Sequence, residues 1–110
     1  MKRAENIMIT ALVTFELTAP MTVDKAKELF LTSAPNYLNY KGLVRKYYLL
    51  TENGKTAGGV YLWDSKKDAE AMYTPAWEKF IREKYGVGPS ITDFSSPVIV
   101  DNLSGEIRSF

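Results

Sequence analysis

GLVRKYYLLTENGKTAGGVYLWD, residues 42–64, is the stretch from which the rest of the chain is read. Asn53-Gly54 lies between two runs rich in β-branched and aromatic residues, and Asn-Gly is the strongest short-range signal for a type I′ hairpin turn. With those two residues at the centre of the turn, Glu52 faces Lys55, Tyr48 faces Gly59, Lys46 faces Tyr61 and Val44 faces Trp63. Side chains alternate between the two faces of a strand. One face therefore collects Val44, Lys46, Tyr48, Leu50, Gly59, Tyr61 and Trp63, and the other Leu43, Arg45, Tyr47, Leu49, Gly58, Val60 and Leu62. The first face sets three aromatic rings and one cation around a glycine, which leaves room beside it.

Composition narrows the possible functions. A chain of 110 residues is expected to form one domain, spanning 1–110, with a real hydrophobic core. The net charge is +1 and no basic block is present, which argues against a nucleic-acid or membrane surface. With no cysteine there is no thiolate nucleophile and no zinc–thiolate site. With no histidine the commonest general base, metal ligand and proximal haem ligand are all missing. Lys2 and Arg3 before an apolar run imitate a signal peptide, but Thr10 interrupts the run and no small-residue cleavage pattern follows. No stretch reaches transmembrane length, and a soluble cytoplasmic protein is the default expectation.

Residues 7–17 alternate as a strand, with Met8 and Leu12 making even the polar side partly apolar. Thr22 is placed to cap a helix running to about Ser33, with Val23, Ala26, Leu29, Phe30 and Ser33 on its inner face and Pro35 beyond its end. After the hairpin, Ser65 and Asp68 resemble a capping box. The helix that follows carries Ala69, Met72, Tyr73, Ala76, Trp77, Phe80, Ile81 and Tyr85 on one face. Pro75 implies a kink there, or a tight break with Thr74 as a second cap. Gly86 stops the helix. A last strand spans 91–100 with a bulge or edge position at Ser95-Ser96-Pro97, and residues 101–110 form a tail with few signals.

The order is β-α-β-β-α-β, which predicts an α+β, ferredoxin-like fold: a four-stranded antiparallel sheet with both helices on one face. Both hairpin faces are too apolar to be left wet, so a homodimer is expected. Periodicity leaves open which hairpin face meets the helices.

GLVRKYY, GGVYLWDS and YGVGPSITDFSSPVIVDN together resemble the YdhR-like mono-oxygenase family of the dimeric α+β barrel superfamily, over nearly the whole chain to about Asn102. The resemblance implies a pocket between sheet and helices, a small aromatic or phenolic substrate whose anion reacts directly with dioxygen, and no cofactor. It also implies that Trp63, at the end of its strand, lines the pocket. On this reading Trp63, Lys46 and Tyr61 are the catalytic candidates, with Lys46 stabilising a phenolate or, when desolvated, acting as a base. Tyr48, Trp77 and Tyr73 are the substrate-binding candidates. The plainer readings are a buried aromatic strand end for Trp63 and Tyr61, a lysine packed over a ring for Lys46, and a core stripe for Tyr73, Trp77 and Tyr85. A dimeric small-molecule binding protein without turnover, and a purely structural dimer module, are the alternatives to an enzyme.

Overall fold

The computed structural model describes residues 7–110, so Lys2 and Arg3 of the signal-like start lie outside the described residues. The elements run β1 (Met8–Glu16), α1 (Val23–Ser33), a 3₁₀ turn (Ala34–Asn36), β2 (Leu43–Leu50), β3 (Thr56–Trp63), α2 (Lys66–Met72), α3 (Pro75–Tyr85), β4 (Ser90–Ser96), β5 (Val98–Asp101) and β6 (Glu106–Ser109). The first four strands to join form one antiparallel sheet in the order β2-β3-β1-β4, the ferredoxin-like arrangement, with the helices on one face.

The helix ends are set locally. Thr22, Ser65 and Thr74 each accept a hydrogen bond from the backbone N–H three residues on, at 3.1, 3.1 and 3.2 Å. Thr74 and Pro75 resolve the break in the second helix: α2 and α3 are separate, Pro75 opens α3, and Gly86 closes it at φ +83°. Three members of the expected inner faces are displaced outward. Val23 is 72% exposed at the first turn of α1, and Ala76 and Phe80 are exposed on α3.

The hairpin register holds in its central part, with Tyr48 opposite Gly59 and Lys46 opposite Tyr61. Its turn differs from the type I′ expectation. Only Gly54 takes positive φ, +74°; Gly54 N–H donates to Thr51 O and Thr51 N–H to Thr56 O. The loop is therefore four residues long, and because it is symmetric about the same point it preserves the register. A side chain at Gly54 would run into the Met21 carbonyl oxygen. At the far end the expected pairing of Val44 with Trp63 is replaced by Leu43 with Trp63, because a bulge lies between Leu43 and Arg45. Leu43 turns in to the core and Val44 is 42% exposed.

Inward-facing Ile9, Ala11, Val13, Tyr61 and Trp63 meet Ala69 and Met72, while Phe15 and Ala57 meet Ile81. This places the Lys46–Tyr48–Tyr61–Trp63 face of the hairpin against the helices.

The last strand is not one strand with a bulge. Pro97 has no N–H to donate, the sheet ladder ends at Ser96, and β5 leaves to pair with β6 in a separate two-stranded hairpin. The tail supplies its turn: Asp101 Oδ1 accepts from the N–H groups of Leu103 and Ser104, and Gly105 sits at φ +74°. The radius of gyration, 15.0 Å, exceeds the roughly 13 Å of a compact domain this long, consistent with an elongated shape.

Candidate functional site

The site begins with β2. Alternation turns Lys46 and Tyr48 toward the helices, and Gly59 opposite Tyr48 keeps the space between them open. A Cβ there would lie 3.2 Å from both Lys46 Cε and Tyr61 Cε1. The 3₁₀ turn after α1 brings a third ring, Tyr37, over the same point. Lys46 Nζ then stands 3.4 Å from the centre of the Tyr37 ring, 3.9 Å from Tyr48 and 4.6 Å from Tyr61. All three distances are within cation–π range. Among the described residues no carboxylate pairs with it, the ion pairs being Lys25–Glu28, Lys66–Glu70 and Lys79–Glu83 on helix surfaces.

The rings are themselves held. Trp77 Nε1–H donates to Tyr37 Oη at 3.1 Å, the hydroxyls of Tyr48 and Ser33 share a hydrogen bond of 2.8 Å, and Phe30 stacks on Tyr48 at 4.6 Å. An aromatic tip this deep keeps its polar atom satisfied by such a partner.

Two spaces meet at Lys46. One is a small cavity of about 20 Å³, room for about one water, walled by Tyr37, Lys46, Tyr48, Gly59, Tyr61, Trp77, Lys84 and Tyr85 among others. The other is an open recess of about 330 Å³ between the 3₁₀ turn and β2, lined by Ala34, Tyr37, Leu38, Asn39, Leu43, Val44, Arg45, Lys46 and Tyr48. Tyr37, Lys46 and Tyr48 belong to both walls.

Burial strips water from the Lys46 ammonium, and the positive charge of Lys84 adds to the effect; together they bring its pKa down from 10.5 to about 7. The same amine can thus give or take a proton near neutral pH. Burial acts oppositely on the phenols, whose charged form is the anion. Tyr48, Tyr61 and Tyr73 are pushed up, and Tyr85 rises to about 12. Tyr48, Tyr61 and Tyr85 therefore stay neutral walls. Among the described residues no cluster of three Asp or Glu side chains offers a metal site.

Of the residues singled out in the sequence, Lys46, Tyr48, Tyr61 and Trp77 come together at this point. Trp63 and Tyr73 stand behind it and outside the cavity wall. Trp63 is fully buried, stacks on Tyr61 at 6.2 Å and donates its indole N–H to Tyr73 Oη at 3.0 Å. Tyr37 and Lys84 were not singled out, and Ser33 and Phe30 only as inner-face residues of α1. Tyr37 carries a faint signal, a tyrosine-rich connection after Pro35, but no sequence spacing links it to a lysine on the next strand.

No family model matches the chain, and no curated protein does. Solved structures do. A mono-oxygenase from the gene ActVA-Orf6 of Streptomyces coelicolor, determined in complex with nanaomycin D, matches with a TM-score of 0.63 at 16% identity, over 83% of this chain and 88% of its own. The Streptomyces nogalater cofactor-independent oxygenase SnoaB matches at 0.60 and 13%, over 82% and 93%. A candidate antibiotic biosynthesis mono-oxygenase from Caulobacter crescentus matches at 0.62 and 15%, over 84% and 92%. The chain has the fold of these mono-oxygenases. Among the described residues no helix is long and apolar enough to cross a membrane.

Proposed function

We propose that the protein is a YdhR-like, cofactor-independent mono-oxygenase acting on a small aromatic or phenolic compound, and that it works as a homodimer. The observation that carries the reading is Lys46: an amine with a pKa near 7, without a carboxylate partner among the described residues, in the wall of both a small cavity and a larger recess. The substrate ring occupies the recess, whose volume lies at the lower end of the range for small-molecule pockets. Its hydroxyl meets Nζ. Neutral Lys46 takes the phenolic proton, and the ammonium so formed is the counter-ion of the phenolate and is itself stabilised by the three rings. The electron-rich anion then reduces dioxygen. With an anthrone, four electrons leave the substrate; one oxygen atom is retained as the new carbonyl and the other leaves as water. Tyr48 and Tyr61 hold Lys46 in place, Trp77 positions Tyr37, and Trp63 with Tyr73 supports Tyr61 from behind.

The fold shared with oxygenases, one of them solved with nanaomycin D, supports this reading. Two exposed apolar surfaces support the homodimer. Tyr47 and Phe94 are at least half exposed on the sheet face away from the helices, and Val98, Val100 and Ile107 lie on one face of the β5–β6 hairpin. An isolated two-stranded hairpin is marginal in water and gains stability when covered.

The test is oxygen consumption with an anthrone or a naphthohydroquinone, for wild type and Lys46→Met, alongside light scattering for the dimer. Uptake in the wild type that is lost in Lys46→Met is expected. Uptake unchanged by the substitution would reject the role of Lys46. Saturable binding of the phenol with no oxygen consumed would favour the alternative, a dimeric binding protein without turnover, for which the small size of the cavity speaks.

A further inference from the structure

We propose that Lys46 is also an amine nucleophile, a site where small uncharged aromatic aldehydes that enter the recess condense to an imine. This chemistry is separate from proton transfer to a phenol and needs neither dioxygen nor an oxidisable substrate.

Three features of the geometry carry it. First, Nζ is bordered by ring faces, with no carboxylate to hold it as an ammonium ion among the described residues. An imine is uncharged, so forming one relieves the cost of a charge kept from water. Second, Lys46 forms part of the wall of the 330 Å³ recess, so its side chain borders the space an aldehyde would enter. An aromatic aldehyde lying there can stack against Tyr37 and Tyr48, which share that wall. Third, the other side of Lys46 opens on a cavity of about 20 Å³, the size of the one water that the condensation releases and its reversal consumes.

The chemistry balances without a redox partner. The nitrogen lone pair attacks the carbonyl carbon and the π pair moves to oxygen. One proton passes from nitrogen to that oxygen, giving a carbinolamine. The lone pair then forms C=N as the C–O bond breaks, and the hydroxide leaves with the second nitrogen proton as water.

Burial and a second cation hold down the proton affinity of Nζ, so free amine is present at neutral pH. Tyr37, Tyr48 and Tyr61, from the 3₁₀ turn, β2 and β3, turn their ring faces to it. Lys84 from α3 is the cation that opposes protonation, with neutral Tyr85 beside it and Arg45 at the recess rim. Desolvated lysines next to a second cation are activated in this way.

The experiment is incubation of the folded protein with benzaldehyde and cyanoborohydride, followed by peptide mass mapping from pH 6 to pH 10. Reduced adduct is expected on Lys46 at least about tenfold faster at pH 7 than on the exposed Lys25 and Lys66, with a rate that levels off above pH 7 while theirs keeps rising. Lys46→Arg should abolish that fast adduct and leave the surface lysines unchanged. Modification of Lys46 no faster than Lys25, or only in protein that circular dichroism shows to be unfolded, overturns the proposal. Oxygen uptake is measured without aldehyde, so the failure of either reading is seen apart from the other.

Discussion

Replacing Lys46 by methionine should make the protein more stable at pH 7 while removing the amine that Tyr37, Tyr48 and Tyr61 surround. Methionine keeps the unbranched stem and roughly the volume that packs between Tyr37, Tyr48 and Tyr61, and it removes the charge. A pKa of about 7 in place of 10.5 means that folding holds the ammonium where it is poorly solvated. At pH 7 that corresponds to about 4 kcal/mol. The attraction of the rings for the cation is already contained in that value. The variant should therefore gain up to about 4 kcal/mol, or about 15–20 °C in Tm for a domain this size. The pH dependence has a definite sign. Between pH 7 and 10.5 the unfolded chain holds the Lys46 proton and the folded chain does not, so wild-type stability rises with pH across that window and is lost as pH falls back toward 7. Below pH 7 this contribution is flat. The advantage of Lys46→Met should thus be largest at pH 7 and below and should shrink to nothing near pH 10.5. Urea and thermal denaturation of both proteins at four pH values measure it. A variant less stable than wild type at pH 7, or a gap that does not change with pH, would refute the reasoning.

Gly58→Ala should cost at least about 2 kcal/mol in urea denaturation, because the new methyl group would collide with the Val13 carbonyl oxygen of the neighbouring strand. Gly59→Val fills the space beside Lys46 Cε and Tyr61, so the lysine should leave its cage; NMR titration should find its pKa back toward 10.5. Trp63→Phe removes the donor to Tyr73 Oη and should cost about 1–3 kcal/mol while leaving the Lys46 pKa unchanged; a shifted lysine would show that Trp63 belongs to the cage. In alkaline solution Tyr48, Tyr61, Tyr73 and Tyr85 should keep their protons past the usual phenol range, as read by ultraviolet difference absorption. The unfolded chain ionises these phenols first, so stability should fall as pH rises above about 10.

Much of the frame was legible because its causes are local. The caps at Thr22, Ser65 and Thr74 act across three residues, and the hairpin register needs only the centre of the turn. Where local reading failed, a distant neighbour or a backbone detail intervened. The Leu43–Arg45 bulge exchanged Leu43 for Val44 opposite Trp63. Pro97, correctly read as unable to donate, ended the sheet instead of bulging a strand, because Asp101 and Gly105 fold the tail back as a partner for β5. The turn residues of that second hairpin stand in the sequence as DNLSG, but its strands β5 and β6 are only four residues each, too short for alternation to be clear.

The sequence by itself determined the order of the elements through β4, their principal ends, the central register of β2 and β3, and the presence of Lys46, Tyr48 and Tyr61 on one face. Each of these follows from backbone preferences and from the two-residue period of a strand. Which face turned inward was decided only by the tertiary structure, since both are apolar enough to be buried and only the packing of helices on the sheet chooses between them. The cage itself was decided there too. Its third ring comes from Tyr37, fixed by Trp77 from 40 residues away, and Lys84 is brought close by a helix that crosses the sheet. A lowered lysine pKa is the sum of desolvation and charge from groups far apart in the chain, and such a sum exists only once the chain has folded.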